Sequence, residues 1–425
     1  MHMPAVAATM HPSALLPVAA AGGHFDVAVL LLGGLLVLGS LVSGIARRTF
    51  LSLTALFVLV GFALGAGGLR VLDFHATSGF TSELATVALI VILFRDGLEV
   101  DAELLQTHWS LPLRKLVLAM PFTMGIVAVV AKFLIGLTWP QALLVGALLS
   151  PTDPVLSSSV VTNPRVPRVV RHSLNLESGL NDGLALPAVL AFMALLSSGS
   201  GHFVWWRFIL EDLLLSFAVG LFVGFVAAKL MPREGGLEPS ILPHQKSLYA
   251  LGCAFAAYGT AVLAPRGNGL IAVYVAAITL GIRRPDLRNH FHRQAQDLVE
   301  IVKLGIFVVF GSLLTGRGLF HDGWAAVGLA AITLLAARPL AVFVSLAGTA
   351  TDMATRGFMG WFGPKGVATM TFSLLVLSSG GAGAVRIFNL AALVVFCSII
   401  AHGLSDTAGA EWLARRSQRA EQVEA

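Results

Sequence analysis

The residues with chemistry to offer lie in two short stretches of an otherwise apolar chain. One is Pro151-Thr152-Asp153-Pro154; the other is Glu177-Ser178-Gly179-Leu180-Asn181-Asp182-Gly183. Within the second, Ser178 and Asp182 are four residues apart, and so are Glu177 and Asn181. On a helix each such pair lies on one face, so carboxylate, hydroxyl and amide oxygens share one broad surface. Hard monovalent cations favour such oxygen ligands, and a helix broken by proline adds backbone carbonyls. Neither CxxC nor HExxH occurs, so no zinc or iron site is indicated. One desolvated carboxylate that takes either a proton or a cation, but not both, couples the movement of the two. Asp182 is the residue this reading rests on.

The elements that must position these groups follow from composition. Of 425 residues, 56% are hydrophobic, only 12% are charged, and mean hydropathy is +0.83. Such a chain cannot cover a soluble fold with polar surface, which excludes an ordinary soluble enzyme, a disordered chain and a nucleic-acid-binding domain. Apolar runs of about 20 residues with short polar breaks indicate a polytopic, all-α membrane protein. About thirteen spans are expected, at roughly 27–45, 49–69, 82–98, 114–136, 140–161, 173–197, 210–230, 246–264, 268–282, 298–315, 324–347, 357–379 and 384–404. Residues 1–24 lack the basic segment of a signal peptide and read as a loose tail. No water-soluble domain is expected between spans, and 406–425 has room only for a short polar helix. Cys253 and Cys397 sit in apolar runs as small hydrophobes.

Of the 28 Lys and Arg, 19 fall at one set of loops and the tail, Arg95, Arg114, Lys115, Lys246 and Arg284 among them, and only 5 at the opposite set. The positive-inside rule therefore places the N-terminus outside and the C-terminus in the cytoplasm. The net charge of +5 is then a matter of topology rather than of nucleic acid. Span five is interrupted at Pro151–Pro154 and span twelve at Gly363-Pro364-Lys365-Gly366. The offset of seven spans makes spans 1–6 and 8–13 inverted repeats, with span seven as linker. Paired breaks at corresponding positions point to the ion site of a transporter.

Depth agrees with this. At 1.5 Å per residue, Asp153 lies ~20 Å from the outer end of span five, Asp182 ~14 Å from the cytoplasmic end of span six, and Arg338 ~21 Å into span eleven. A charge there costs at least about 2.5–3.5 kcal/mol, so each needs a reason. Glu177 is the expected structural partner of Arg338. Asp153 has a plain alternative as cap of the second half-helix of span five, and Asn181 as a packing hydrogen-bonder. Lys303 and Lys132 are expected to snorkel to the interfaces. The 12 histidines lie mostly in loops or tails.

At these residues the sequence resembles the monovalent cation:proton antiporter superfamily, in its Asn-Asp branch of NhaP-like sodium/proton antiporters and the sodium/hydrogen exchanger family. The motifs are Thr152-Asp153-Pro154, Glu177 to Asp182, Arg338-Pro339, and Trp361-Phe362-Gly363-Pro364-Lys365-Gly366. The resemblance runs over nearly the whole chain. It implies two crossed broken helices, spans 5 and 12, in a homodimer embedded in the plasma membrane, a bacterial inner membrane by expectation. After a tail at 1–26, residues 27–110 and 246–316 would form a dimerisation domain. Residues 111–198 and 317–405 would form an ion-carrying bundle that moves like an elevator, with 199–245 as linker and 406–425 as cytoplasmic tail. Asp182 would bind the cation and carry the proton, with Ser178, Thr152 and Asp153 completing the Na⁺ or K⁺ shell. Asn181 would orient it, and Glu177 would pair with Arg338 and reach the ion through water. The sequence departs from the family at Lys365, where arginine is usual; a lysine lacks the bidentate fork, so how it satisfies the broken helix is left open. The implied activity is exchange of Na⁺ or Li⁺, or alternatively K⁺, for H⁺, without an enzymatic step or cofactor, electroneutral because Asn181 holds no second proton. Readings from other classes are a channel or uniporter, a sensor, and an intramembrane aspartyl protease. The last lacks the Gly-X-Gly-Asp context around Asp182.

Overall fold

The computed structural model describes residues 53–72, 74–75, 79–100, 110–153, 160, 164, 166–197, 204–232, 241–263 and 267–424, with isolated positions at 30, 33, 34, 37 and 41. The tail at 1–26, nearly all of span one with Arg47 and Arg48, and Pro154 with most of the second half of span five lie outside the described residues.

Every regular element among the described residues is a helix, with no strand. The helices are α1 (Leu53–Leu64), α2 (Gly79–Leu98), α3 (Ser110–Leu134), α4 (Trp139–Leu149), α5 (Arg168–Ser197), α6 (Trp205–Leu230) and α7 (Pro243–Leu263). They continue with α8 (Gly269–Arg283), α9 (Pro285–Gln294), α10 (Gln296–Ser312), α11 (Gly323–Ser345), α12 (Met353–Trp361), α13 (Val367–Ser378) and α14 (Ala384–Glu424). Among them α3, α5, α6, α11 and the Ala384–Arg416 part of α14 are long and apolar enough to cross a bilayer; α1, α4, α8 and α13 are shorter and apolar. Large apolar side chains face outward, including Phe133, Leu230, Leu263 and Trp324. That surface suits lipid and not water.

Local chemistry sets the helix ends that matter. The hydroxyl of Thr138 and the side chain of Gln141 cap α4 reciprocally, and Pro140 follows in its first turn. It stops before Pro151, which has no amide to donate. Asn268 caps α8 by accepting from the amides of Leu270 and Ile271, at 3.0 and 3.3 Å. Asp352 caps α12 through the Thr355 amide, a hydrogen bond that holds its carboxyl below the usual carboxylate range. Two long helices carry a wide turn beside a proline: Lys115–Ala119 in α3, ahead of Pro121, and Thr333–Ala337 in α11, ahead of Pro339. Each wide turn rotates the residues after it relative to a regular helix.

Three sequence expectations are corrected here. The segment after Arg284, read as a loop, contains α9. The stretch from 406 on does not form a separate short helix: α14 runs unbroken from Ala384 to Glu424. Several cations assigned to loops are buried instead. Lys115 has no exposed surface, Lys246 lies buried in α7, and Arg284 is 2% exposed. The Arg284 guanidinium donates to the carbonyls of Ala228 (3.3 Å), Met231 and Pro232 (2.8 Å), closing the C-terminal end of α6, while Asp286 balances its charge at 2.7 Å. Part of the charge asymmetry in the sequence therefore serves packing rather than topology.

Candidate functional site

The two helix breaks meet and satisfy each other. After α4 the chain runs extended through Pro151, Thr152 and Asp153; between α12 and α13 it runs extended through 362–366. The Asp153 amide donates to the Pro364 carbonyl at 2.8 Å. The Asp153 carboxylate accepts from the Val367 amide at 3.0 Å, at the N-terminal end of α13. In return the Lys365 ammonium donates to the carbonyls of Ser150 (3.3 Å) and Pro151 (3.1 Å), at the C-terminal end of α4. Each charge thus opposes the helix dipole it faces: a carboxylate at an N-terminus, an ammonium at a C-terminus. Asp153 therefore caps the second half-helix of span twelve; the second half of span five, which it was expected to cap, lies mostly outside the described residues. Lysine suffices at 365 because the acceptors are two single carbonyls, which need a point charge rather than a fork. Gly366 is required here, since a Cβ would strike the Asp153 carboxylate.

A second ring of contacts holds this crossing. The Lys365 amide donates to Ser398 Oγ at 2.8 Å, and Ser398 Oγ lies 3.1 Å from His402 Nδ1. His402 Nε2 lies 2.9 Å from the Trp361 carbonyl, and the two rings stack with centroids 5.0 Å apart. Sequence reading placed the histidines mostly in loops or tails; His402 is 2% exposed and closes the end of α12. Replacing Lys365 with alanine leaves two buried carbonyls without their donor. We expect a loss of about 1–3 kcal/mol, seen as earlier unfolding in detergent, with Lys365→Arg retaining most of the stability.

Beside the crossing stands α5, which carries the acidic motif. Asn181 Nδ2 donates to the Thr152 carbonyl (2.9 Å) and to Thr152 Oγ1 (2.8 Å), pinning α5 to the break. Asp182, the next residue, is 7% exposed, and its Oδ1 has no hydrogen-bond partner. Asp153 and Arg95 both act on its charge. Ser178, one turn earlier on the Asp182 face, is half-buried. The chain thus brings Thr152, Asp153, Asn181 and Asp182 to one place.

Glu177 is committed elsewhere. Five residues from Asp182, it projects about 140° away around α5. Its Oε1 accepts from Arg338 Nη1 at 2.9 Å, and its Oε2 from Arg338 Nη2 at 3.3 Å and Lys115 Nζ at 2.6 Å. The expected Glu177–Arg338 pair is present, but it is a buried triad with two cations. The Arg338 guanidinium rests on Gly363, where a Cβ would overlap it, and also reaches the Met359 carbonyl at 3.4 Å. Lys303 does not snorkel to open water. Its side chain is 2% exposed and bonds Glu300 at 3.0 Å.

The sequence reading missed Asp96. It lies on α2, is 3% exposed, and its carboxyl is within hydrogen-bonding reach of that of Asp182. Asp96 Oδ1 accepts from Arg95 Nε (2.8 Å) and Nη2 (2.5 Å); Asp96 Oδ2 has no hydrogen-bond partner. Tyr274 of α8 closes the other side, its hydroxyl donating to the carbonyls of Gly179 (3.1 Å) and Leu180 (3.4 Å) and its ring seated on Gly183. The signal in the sequence was a carboxylate inside the apolar run Ile90–Leu98, passed over because Arg95 beside it reads as a loop-edge charge. Two buried carboxylates facing each other, each with an oxygen that has no donor, repel unless a proton or a cation sits between them. Chemically the site is a net-acidic cluster of buried oxygens at a helix crossing.

The family described as sodium/hydrogen exchanger, transmembrane, matches residues 34–409. The K(+)/H(+) antiporter NhaP2 of Shewanella sp. (strain ANA-3) is 27% identical over 385 residues, covering 89% of this chain and 66% of its own length. The K(+)/H(+) antiporter NhaP of Alkalimonas amylolytica is 25% identical over 393 residues, with 91% and 67% covered. The chain thus spans about two thirds of the length of these relatives. The structure of the sodium proton antiporter MjNhaP1 from Methanocaldococcus jannaschii superposes with a TM-score of 0.78 at 20% identity, covering 92% of this chain and all of that one.

Proposed function

Since this chain belongs to the sodium/hydrogen exchanger family, a family of multi-pass membrane proteins, we propose that it exchanges a monovalent cation for a proton. The observation that carries the reading is the unpartnered Asp182 Oδ1, buried where the two helix breaks meet and facing a second carboxyl at Asp96.

The mechanism follows from charge. Asp182 takes H⁺ or one monovalent cation, each of which neutralises it. Thr152, Asp153, Ser178 and Asp96 supply the remaining oxygens, and Asn181 fixes the position of the Thr152 carbonyl. Empty, the site is an anion in a low-dielectric interior and cannot cross the bilayer cheaply. Loaded with either ligand, it can. Obligatory loading is what makes the process an exchange rather than a leak.

Charge neutrality of the cycle follows from the neighbours. Glu177 is held by Arg338 and Lys115, Asp153 caps α13, and Asp96 carries Arg95. One carboxylate is left to exchange its ligand, so one cation moves for one proton, and membrane voltage does no net work on the completed cycle. The architecture we propose around it has about thirteen spans in inverted repeats, an outside N-terminus and a cytoplasmic C-terminus. The chain forms a homodimer, in which the bundle bearing α3–α5 and α11–α14 slides against a fixed part built on α1, α2, α7, α8 and α10. The ligand oxygens suit Na⁺, Li⁺ and K⁺ alike. The names of the bacterial relatives favour K⁺ and that of the archaeal structure favours Na⁺.

The test is purified protein in liposomes holding a pH gradient. Addition of Na⁺, Li⁺ or K⁺ should dissipate the gradient, at a rate unchanged when valinomycin and K⁺ clamp the voltage at different values. A steady transport current on a solid-supported membrane would show that charge moves, and Asp96 and Asp153 would be the first residues to examine.

A further inference from the structure

We propose that Arg95 is a tethered stand-in for the transported cation. Its guanidinium holds the Asp96 carboxylate while the site lacks a cation, and moves to Glu99 when a cation arrives from the cavity alongside. The inference rests on the exchange reading above and adds to it a route and a competitor.

Four observations carry it. The guanidinium is bound to Asp96 through two nitrogens, at 2.8 and 2.5 Å, so it fills one oxygen of the carboxyl that faces Asp182. Arg95 and Asp96 are sequence neighbours and project about 100° apart on α2, so the side chain has to wrap around the helix to make this contact. Arg95 also borders a cavity of about 50 Å³, lined with it by Glu99, Phe291, Gln296, Val299 and Glu300. That volume admits water and, by size, a monovalent ion. The Arg95 side chain is 23% exposed against 4% for Asp96, so the guanidinium reaches from the cavity into the buried carboxylate. The other Asp96 oxygen is buried, has no hydrogen-bond partner, and belongs to the group within reach of Asp182. Cavity, guanidinium, Asp96 and Asp182 therefore form a series.

The alternative seat for the guanidinium is built in. Glu99 is four residues after Arg95, the helical spacing at which side chains meet, and it already acts on the Arg95 charge. Glu300 adds acidity at the same mouth, with the buried Lys303 ammonium bonded to it at 3.0 Å. A cation passing this mouth meets carboxylates first, then replaces Arg95 at Asp96. The Asp96–Asp182 pair faces one positive charge before the exchange, the guanidinium, and one after it, the cation. Loading therefore leaves the charge facing the pair unchanged, and the returning guanidinium drives the cation off during release.

Competition of this kind lowers apparent affinity by the fraction of time the carboxylate is available. Exchange by Arg95→Gln in proteoliposomes, at alkaline pH where protons compete least, should therefore show a cation KM about fivefold or more below wild type, with a reduced maximal rate because release slows. Glu99→Gln, which removes the alternative seat, should raise KM by a similar factor. A merely structural Arg95 would instead leave KM unchanged or raise it. If Arg95→Gln does not fold, Arg95→Lys and Glu99→Gln decide: the weaker single-point contact of lysine should lower KM while Glu99→Gln raises it. An unshifted or raised KM in folded Arg95→Gln or Arg95→Lys overturns the proposal, and so does an unshifted or lowered KM in Glu99→Gln. If wild type itself shows no cation-dependent proton flux, the exchange reading has failed; if wild type exchanges and the variants do not shift as stated, only the role of Arg95 has.

Discussion

Asp182→Asn is expected to abolish cation-dependent proton movement while leaving the protein folded and inserted. The amide has the shape of the carboxyl, and the Asp182 oxygen that has no hydrogen-bond partner holds no structural contact to lose. What disappears is the charge. An asparagine cannot take up the proton, and as a neutral ligand it attracts a cation far less than a carboxylate does in a low-dielectric interior. Removing the negative charge facing Asp96 also relieves a repulsion, so the variant should unfold at the same temperature as wild type or higher. The check is dissipation of a pH gradient by Na⁺, Li⁺ and K⁺ in proteoliposomes, alongside thermal unfolding in detergent. Robust cation-dependent flux in this variant would remove Asp182 from the centre of the mechanism.

Glu177→Ala should be the most damaging substitution for stability. It strands two buried cations at once, Lys115 with no exposed surface and Arg338 at 5%. Truncating one member of a buried pair typically costs about 3–5 kcal/mol, because the remaining charge is left without a counter-ion. Here the loss should reach the upper end of that range. Lys115→Met alone leaves the two-point Glu177–Arg338 contact in place and should be milder. Combining Glu177→Ala with Lys115→Met and Arg338→Met removes every stranded charge and should recover much of the loss. Unfolding temperature in detergent reads all of these. If the triple variant is destabilised by the sum of its parts, the three residues do not act as a unit.

Much of this was legible in the sequence because charges inside apolar runs demand a reason. Asp153, Glu177, Asp182, Arg338 and Lys365 were singled out on that ground and Asn181 by its helical spacing from Glu177, and the structure brings them to one helix crossing or packs them against it. The Glu177–Arg338 pair was readable from depth alone. Lys115 was not, because it follows Arg114 at the edge of an apolar run, where a basic pair reads as a loop. A wide turn beginning at Lys115 helps set the direction in which it projects, and such turns have no sharp sequence signature. Asp96 was hidden in the same way by Arg95. The cap that Asp153 makes on span twelve was not foreseen, since capping read from sequence looks to the next residues along the chain. This partner is more than two hundred residues away, at Val367. The unbroken α14 was obscured because the tail loses hydrophobicity while keeping good helix formers, so a break in polarity was taken as a break in structure.

The central claim is that one buried carboxylate exchanges a cation for a proton, so that either gradient drives the other. It is tested most directly by uphill accumulation. Liposomes containing the protein are given an acidic interior, equal concentrations of radiolabelled cation on both sides, and a voltage clamped at zero. The account predicts that protons leaving the liposome draw the cation inward, above its starting concentration, with Na⁺, Li⁺ or K⁺ as the accumulated ion. Reversing the pH gradient should reverse the movement, and Asp182→Asn should show neither. Cation that remains at equal concentration under both pH gradients, yet moves readily when a voltage is imposed, would contradict the account and identify a conductive pathway instead.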